Sequence, residues 1–145
     1  MTNNSTSSIQ SIALSDDEKT TLRVGAYGAV SLMSAAGVAG GKPHRIATDG
    51  SIALASATGQ IGHVLAKYPK GRELNGKSVA ALADRVLPAL TEAMSLLKRQ
   101  DAAEAEHYRA AVVVAIKAAS HSHKGELSPT MVDMTHKITE ALDAA

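Results

Sequence analysis

Apolar side chains recur at intervals of three and four residues along most of this chain, which is the spacing of residues on one face of an α-helix. The pattern occupies five segments, whose apolar stripes begin at Leu22, Leu54, Val79, Tyr108 and Met131. The β-branched run Val112–Val114 favours a strand on its own, but it lies inside a helical pattern. The sequence therefore predicts an all-α fold with five or six helices. The length of 145 residues suits a single domain.

A capping box marks the start of the first helix. In this motif the side chains of Ser15 and Glu18 each bond the other residue's backbone amide. We expect this helix to run from Asp16 to Ala36. The preceding residues, rich in Ser, Thr and Asn, are expected to form a mobile tail over 1–14, which leaves residues 15–145 as the helical domain.

Helix caps and helix-breaking residues indicate where the remaining helices begin and end. We interpret residues 37–48 as a glycine- and proline-containing loop, followed by a second helix from about Gly50 to Lys67. A third helix carries an internal Pro88, where a kink or a restart is expected. The fourth helix is predicted to open with another capping box, formed by Asp101 and Glu104. The third helix is predicted to start near Ser78, and the fifth is predicted to begin at a cap formed by Ser128.

Small residues dominate the predicted core. Alanine supplies 27 residues, and the aromatic side chains are three Tyr. Helices whose contact faces carry small residues can pack close together. We interpret two pairs of residues as points of such close packing: Gly25 with Ala29, and Gly59 with Gly62. A close approach of the backbone to a ligand is the alternative.

Three large apolar residues lie outside the main stripes, at Leu87, Leu96 and Val132. Alanine-rich faces leave few large side chains to anchor the core, so we expect some of these three to form an exposed patch. A patch that meets its own copy about a two-fold axis makes a dimer. The sequence therefore predicts a homodimer built on the third and fifth predicted helices.

Composition excludes several classes of protein. Without Cys there is no disulfide framework, thiolate metal site or cysteine nucleophile. The longest strictly apolar run, Ala110–Ile116, is far shorter than the roughly 20 residues that span a bilayer. We expect no signal peptide, because Met1–Ser15 lacks its basic and apolar regions. A cytoplasmic protein without a cofactor is therefore predicted.

Cationic residues concentrate between residues 41 and 77, although the net charge of the chain is only +1. No Phe or Trp is interleaved to stack bases, so a nucleic-acid partner is not expected. We interpret the cluster as a solvated surface, with an acidic partner as the alternative. This candidate basic patch comprises Lys42, Arg45, Lys67, Lys70, Arg72 and Lys77.

The histidines offer one candidate metal site. His121 and His123 cannot share a metal on one helix, but in an extended turn they could bind zinc or nickel with Glu126. A solvated helix end, where the imidazoles complement the negative helix pole, is the favoured interpretation. His63 and His107 are interpreted as partly exposed or hydrogen-bonded side chains. No nucleophile elbow or P-loop is present, so catalytic residues are not assigned.

Residues 20–36, 86–90 and 125–129 resemble segments of small bacterial helical proteins that have no assigned activity. The last forty residues also resemble the second half of a tellurite-resistance TerB-like domain, in which an acidic turn precedes a Ser-x-x-Glu cap. Here the turn reads His-Lys-Gly-Glu over 123–126, and Met131 occupies the place of the Glu. The resemblance implies a bundle-like or TerB-like orthogonal arrangement, and it carries over none of that family's acidic metal-binding residues.

These observations lead to a ranked expectation for function. A non-catalytic cytoplasmic module that binds a protein partner or itself comes first. A divalent-metal or small-ligand-binding protein of a stress response is the alternative. An enzyme ranks third.

Overall fold

A computed structural model of the protein describes residues 12–37, 43–69, 74, 78–121 and 128–145. Helices account for 84% of the described residues, and no strand occurs among them. The six helices are α1 (Asp16–Ala36), α2 (Pro43–Ala55), α3 (Gly59–Leu65), α4 (Val79–Gln100), α5 (Ala102–His121) and α6 (Pro129–Asp143). The prediction of an all-α fold with five or six helices is therefore confirmed.

Helix α1 lies at the centre of the fold. It packs against each of the other five helices, and its buried residues are spread around its whole circumference. A helix that is apolar on all sides is stable only when it is enclosed in this way. Among the described residues, none of the helices combines the length and the apolar character needed to cross a bilayer.

Glycines let α1 approach α5, α4 and α2 closely. A Cβ atom at Gly25 would lie 2.6 Å from the Tyr108 hydroxyl, and one at Gly28 would overlap the side chain of Val86. On α2, a Cβ atom at Gly50 would lie 2.7 Å from Val30 Cγ1. The close-packing interpretation thus holds for Gly25, and its predicted partner Ala29 is fully buried. Gly28 is a further small residue of α1 at such a contact.

The second predicted helix is wrong in its bounds. The chain forms two helices there: α2 begins at Pro43, inside the expected loop, and α3 is a separate short helix. Proline suits the first helical turn, because its missing N–H would have no partner there. Gly59, with φ of 73°, adopts a left-handed conformation at the break, which is a turn rather than a helix contact. At Gly62 a Cβ atom would overlap the Ala57 carbonyl, so this glycine also serves the turn.

The caps predicted at Ser15 and Ser128 are present, and Ser78 also caps its helix. Ser15 and Glu18 form the complete capping box, with bonds of 3.1 and 2.9 Å. The hydroxyls of Ser78 and Ser128 accept bonds from the backbone amides three residues later. Helix α4 runs through Pro88 without the restart that was one of our two expectations.

The described chain is anchored before α1. The Ile12 amide donates to Gln60 Oε1 at 2.8 Å, and Gln100 bonds both the N–H and the carbonyl of Ala13. Ile12 and Leu14 are partly buried against the core. Residues 12–14, which the sequence assigns to the tail, are therefore held against the helices.

Candidate functional site

The structure describes one residue of the predicted metal site. His121 is exposed at the end of α5, whereas His123 and Glu126 lie outside the described residues. Within the described part of the chain, no group of three or more His, Asp or Glu side chains could hold a metal ion. His63 is exposed, as its interpretation required.

Two members of the candidate basic patch can be placed. Arg45 lies on α2 and Lys67 follows α3, and both are exposed. The other four members lie outside the described residues: Lys42, Lys70, Arg72 and Lys77.

A groove lies between α1, α2 and the segment that follows α3, with a volume of about 530 Å³. We call it the Tyr27 groove. Its lining is mainly apolar and includes Tyr27, Val30, Ala47, Ile52, Ala55 and Tyr68. Arg45 lies one helical turn before Thr48, another lining residue, and Lys67 directly precedes Tyr68. Both placeable cations therefore lie beside this groove.

Hydrogen bonds hold the floor of the Tyr27 groove in place. The Tyr27 hydroxyl donates to the carbonyl of Leu65 at 2.6 Å, and Arg23 Nε donates to that of Val64 at 2.8 Å. These two side chains lie one turn apart on α1, and they satisfy carbonyls at the end of α3 that have no helical partner. Burial is the main cause of the raised pKa of the Tyr27 hydroxyl.

Two exposed apolar side chains line this groove. Ile52 on α2 is 58% exposed, and Tyr68 after α3 is 52% exposed. The Tyr68 ring meets the Tyr27 ring edge-on, with centroids 5.0 Å apart. Tyr68 is therefore a positioned aromatic side chain with much of its surface open to solvent.

The patch expected on the third and fifth predicted helices, now α4 and α6, is not supported by the described surface. Leu96 is buried in the core, Leu87 is partly buried against it, and only Val132 is exposed. Leu96 is buried because the apolar stripe of α4 is wider than the one we assigned. The exposed residues beside Val132 on α6 are mainly charged or titratable: Asp133, His136, Lys137, Glu140 and Asp143.

A second groove, of about 340 Å³, lies between α5 and the end of α2 with its following turn. We call it the His107 groove. Small side chains form most of its lining, and Thr58 and His107 are among its polar groups. Glu104 precedes His107 by three residues on α5, so the two side chains are neighbours on one face of the helix. Glu104 itself lies one helical turn away from the residues that line the groove.

The carboxylate of Glu104 is unusual in its surroundings. Its Oε1 atom is buried and has no hydrogen-bond partner, and it lies 4.0 Å from His107 Nδ1. The predicted capping box of α5 is only half formed, which is a correction to the sequence analysis. Asp101 Oδ1 accepts from the Ala103 amide, but the Asp101 amide bonds the Leu97 carbonyl at the end of α4. The Glu104 carboxylate therefore has no cap donor to accept from.

Sequence reasoning missed both grooves. It ended the second helix at about Lys67, directly before Tyr68, and gave Tyr27 no role. The available signal was Arg23 with Tyr27, a polar pair one turn apart in the part of the helix after Thr21, which is mainly apolar. Long polar side chains in such a helix require buried acceptors, but the sequence does not say which ones.

Comparisons with known proteins find no match to this chain among the family models, the curated proteins or the solved structures. The TerB-like resemblance therefore stays a prediction.

Proposed function

We propose that this protein is a non-catalytic cytoplasmic module that binds an amphipathic helix of an acidic protein partner in the Tyr27 groove. The observation that carries the proposal is the pair Ile52 and Tyr68, more than half exposed and lining one groove. Amphipathic helices commonly bind in such grooves through the side chains of their apolar face, which are spaced at three and four residues.

The geometry of Tyr68 supports a binding role. Aromatic side chains held in place before binding lose little conformational entropy on association, and they are frequent among residues that dominate binding energy. The Tyr27 ring packs against Tyr68, and the Tyr27 hydroxyl is itself tied to α3. The groove therefore needs little rearrangement to receive a partner.

Charge beside the groove supports an acidic partner. Arg45 and Lys67 are both exposed next to the apolar lining. Opposite charges at the rim of an interface accelerate association and select the partner, and added salt weakens this effect. An acidic partner was also the alternative interpretation of the basic patch.

A second copy fits the Tyr27 groove less well than an acidic partner. In a two-fold dimer the same patch meets itself, so Arg45 and Lys67 of one protomer would approach the same cations of the other. Like charges across an interface oppose association. The homodimer stays a prediction, and light scattering of the purified chain at micromolar concentration tests it directly.

The alternative functions have weaker support. Divalent-metal binding relies on His121, His123 and Glu126, of which the described residues include only His121. For catalysis, the sequence offers neither a nucleophile elbow nor a P-loop as support.

A designed helical peptide tests the proposed function. The probe carries Leu at positions i, i+3 and i+7 on one face and Glu along its flanks, and a second peptide carries Lys in place of Glu. We expect the acidic peptide to bind the full chain more tightly in fluorescence anisotropy, with weaker binding in higher salt. Tyr68→Ala should weaken binding about tenfold or more, the loss typical of an interface residue worth at least about 1.4 kcal/mol.

Matched variants make this test specific. Val132→Ala removes an exposed apolar side chain from α6, away from the groove lining, and should leave binding unchanged. Arg45→Gln should weaken the acidic peptide more than the basic one. Equal binding of the two peptides, or equal effects of Tyr68→Ala and Val132→Ala, would refute the proposal.

A further inference from the structure

We propose that the His107 groove is a binding site for a small aliphatic amine in its ammonium form. This site is separate from the Tyr27 groove. Ala53 and Ala57 line the His107 groove, whereas Thr48 and Ile52 line the other. The failure of one proposal would therefore leave the other standing.

The buried oxygen of Glu104 is the observation that identifies the ligand. A buried carboxylate oxygen without a hydrogen bond is costly, because it has lost water and gained no donor. His107 Nδ1, at 4.0 Å, is beyond hydrogen-bond distance. None of the residues that line the groove is Lys or Arg. A ligand that brings a charged N–H donor within hydrogen-bond distance of Glu104 Oε1 supplies the bond that the described residues do not make.

The walls of the groove fit an aliphatic body. Alanine supplies half of the lining, from Ala53 and Ala57 on one side to Ala110 and Ala111 on the other. The exposed side chain of Val114 lies farther along the same groove and would be covered by a bound chain. A volume near 340 Å³ lies at the lower end of the range for small-molecule sites, so the ligand is small.

Electrostatics select a cation over an anion at this site. Glu104 is the acidic residue beside the groove, and its charge repels a ligand carboxylate or phosphate. A divalent metal ion is a poorer fit, because the described residues offer no third ligand near Glu104 and His107. The ammonium group of an amine needs only one carboxylate together with neutral acceptors, and the hydroxyl of Thr58 is among the groups that line the groove.

The proposal requires the His107 side chain to move, because His107 lines the groove and Glu104 does not. The Glu104 oxygen is shielded from solvent, whereas the His107 side chain is 35% exposed and contacts Gly59 at the turn before α3. A Cβ atom on Gly59 would lie 3.2 Å from His107 Cε1, so the imidazole packs over bare backbone there. Rotation of this partly exposed ring would open the carboxylate to the ligand.

An NMR titration of the full chain with n-butylammonium tests the site. We expect dose-dependent shifts of the backbone amides of Ala53, Ala57 and Ala111, with little effect at Tyr68. n-Butanol and n-butyrate, which keep the aliphatic chain without the cation, should bind at least about tenfold more weakly. This factor corresponds to the loss of one hydrogen bond to a charged group.

Two glutamates of α5 provide a matched pair of variants. Glu104→Gln removes the carboxylate without changing the size of the side chain and should weaken n-butylammonium binding about tenfold or more. Glu106→Gln changes the net charge equally, but Glu106 is exposed, so binding should be unchanged. If Glu104→Gln does not fold, Glu104→Asp, which withdraws the carboxylate by one methylene, should show the same loss.

Three results would overturn the proposal. n-Butanol could shift the same amides with the same affinity, which would make the groove a purely apolar site. Both Gln variants could weaken binding equally, which would indicate general attraction to a negative surface. Binding could also be unaffected by Glu104→Gln or Glu104→Asp, which would leave the buried carboxylate with a structural role only.

Discussion

The substitution Gly28→Ala tests how closely α1 and α4 must approach. A Cβ atom at Gly28 would overlap Val86 Cγ2 and would lie 2.9 Å from Cγ1 and 3.1 Å from Cβ of the same side chain. Val86 is fully buried and belongs to the core cluster, so its side chain has little room to withdraw. The added methyl group therefore forces the two helices apart or Val86 out of its rotamer.

The expected magnitude follows from two opposing effects. Alanine favours a helix interior over glycine by about 1 kcal/mol. Extra volume in a packed core costs about 1–3 kcal/mol of stability. The upper end of this range applies here, because the added methyl group overlaps a single side chain, Val86, whose β-branched rotamer is rigid. We expect Gly28→Ala to lower the free energy of unfolding by about 1–2 kcal/mol, as measured by urea denaturation.

A double-mutant cycle separates this overlap from any other effect of the substitution. Val86→Ala alone should destabilise the protein by about 2 kcal/mol through lost burial and a residual cavity. With Val86→Ala in place, the methyl group that Gly28→Ala introduces has room. The double variant should therefore be more stable than the sum of the single effects by at least about 1 kcal/mol. A stable Gly28→Ala variant, or additive effects in the cycle, would refute the reasoning.

Two further predictions concern stability. Ser15→Ala removes one of the two hydrogen bonds of the capping box and should lower the free energy of unfolding by about 1 kcal/mol in urea denaturation. Ser15→Thr keeps the hydroxyl and should retain most of this stability. The hydroxyls of Tyr27 and Tyr108 have raised pKa values because of burial, so they should ionise above the ordinary value of 10.0 in an absorbance titration. A raised folded-state pKa means that their contribution to stability is complete below pH 10 and is lost as the pH rises further. Urea midpoints that stay constant above pH 10 would contradict this assignment.

Local patterns predicted those parts of the fold that depend on neighbouring residues. The capping box of Ser15 and Glu18 joins residues three apart, and all of its partners were visible in the sequence. The start of α2 at Pro43 was missed for a related reason. Proline marks both loops and first helical turns, and the choice between them depends on what the following residues pack against.

The Tyr27 groove could not be predicted from local patterns, because its parts come from distant segments. Tyr27 and Tyr68 meet only when the end of α3 is brought against α1. The exposure of Ile52 depends on which face of α2 turns toward the core. The periodicity of α2 was assigned to a longer helix, so the sequence could not place that face.

The Glu104 carboxylate shows how the fold can override a correct local signal. Asp101 is the single residue between α4 and α5, so its one backbone N–H could serve either the last turn of α4 or the cap of α5. It bonds the Leu97 carbonyl at 2.7 Å, which leaves the capping-box acceptor of Glu104 without its donor. The buried, unsatisfied oxygen beside His107 is therefore a consequence of a linker one residue long. A linker with one more residue would supply a second N–H, and we infer that it would let Glu104 cap α5.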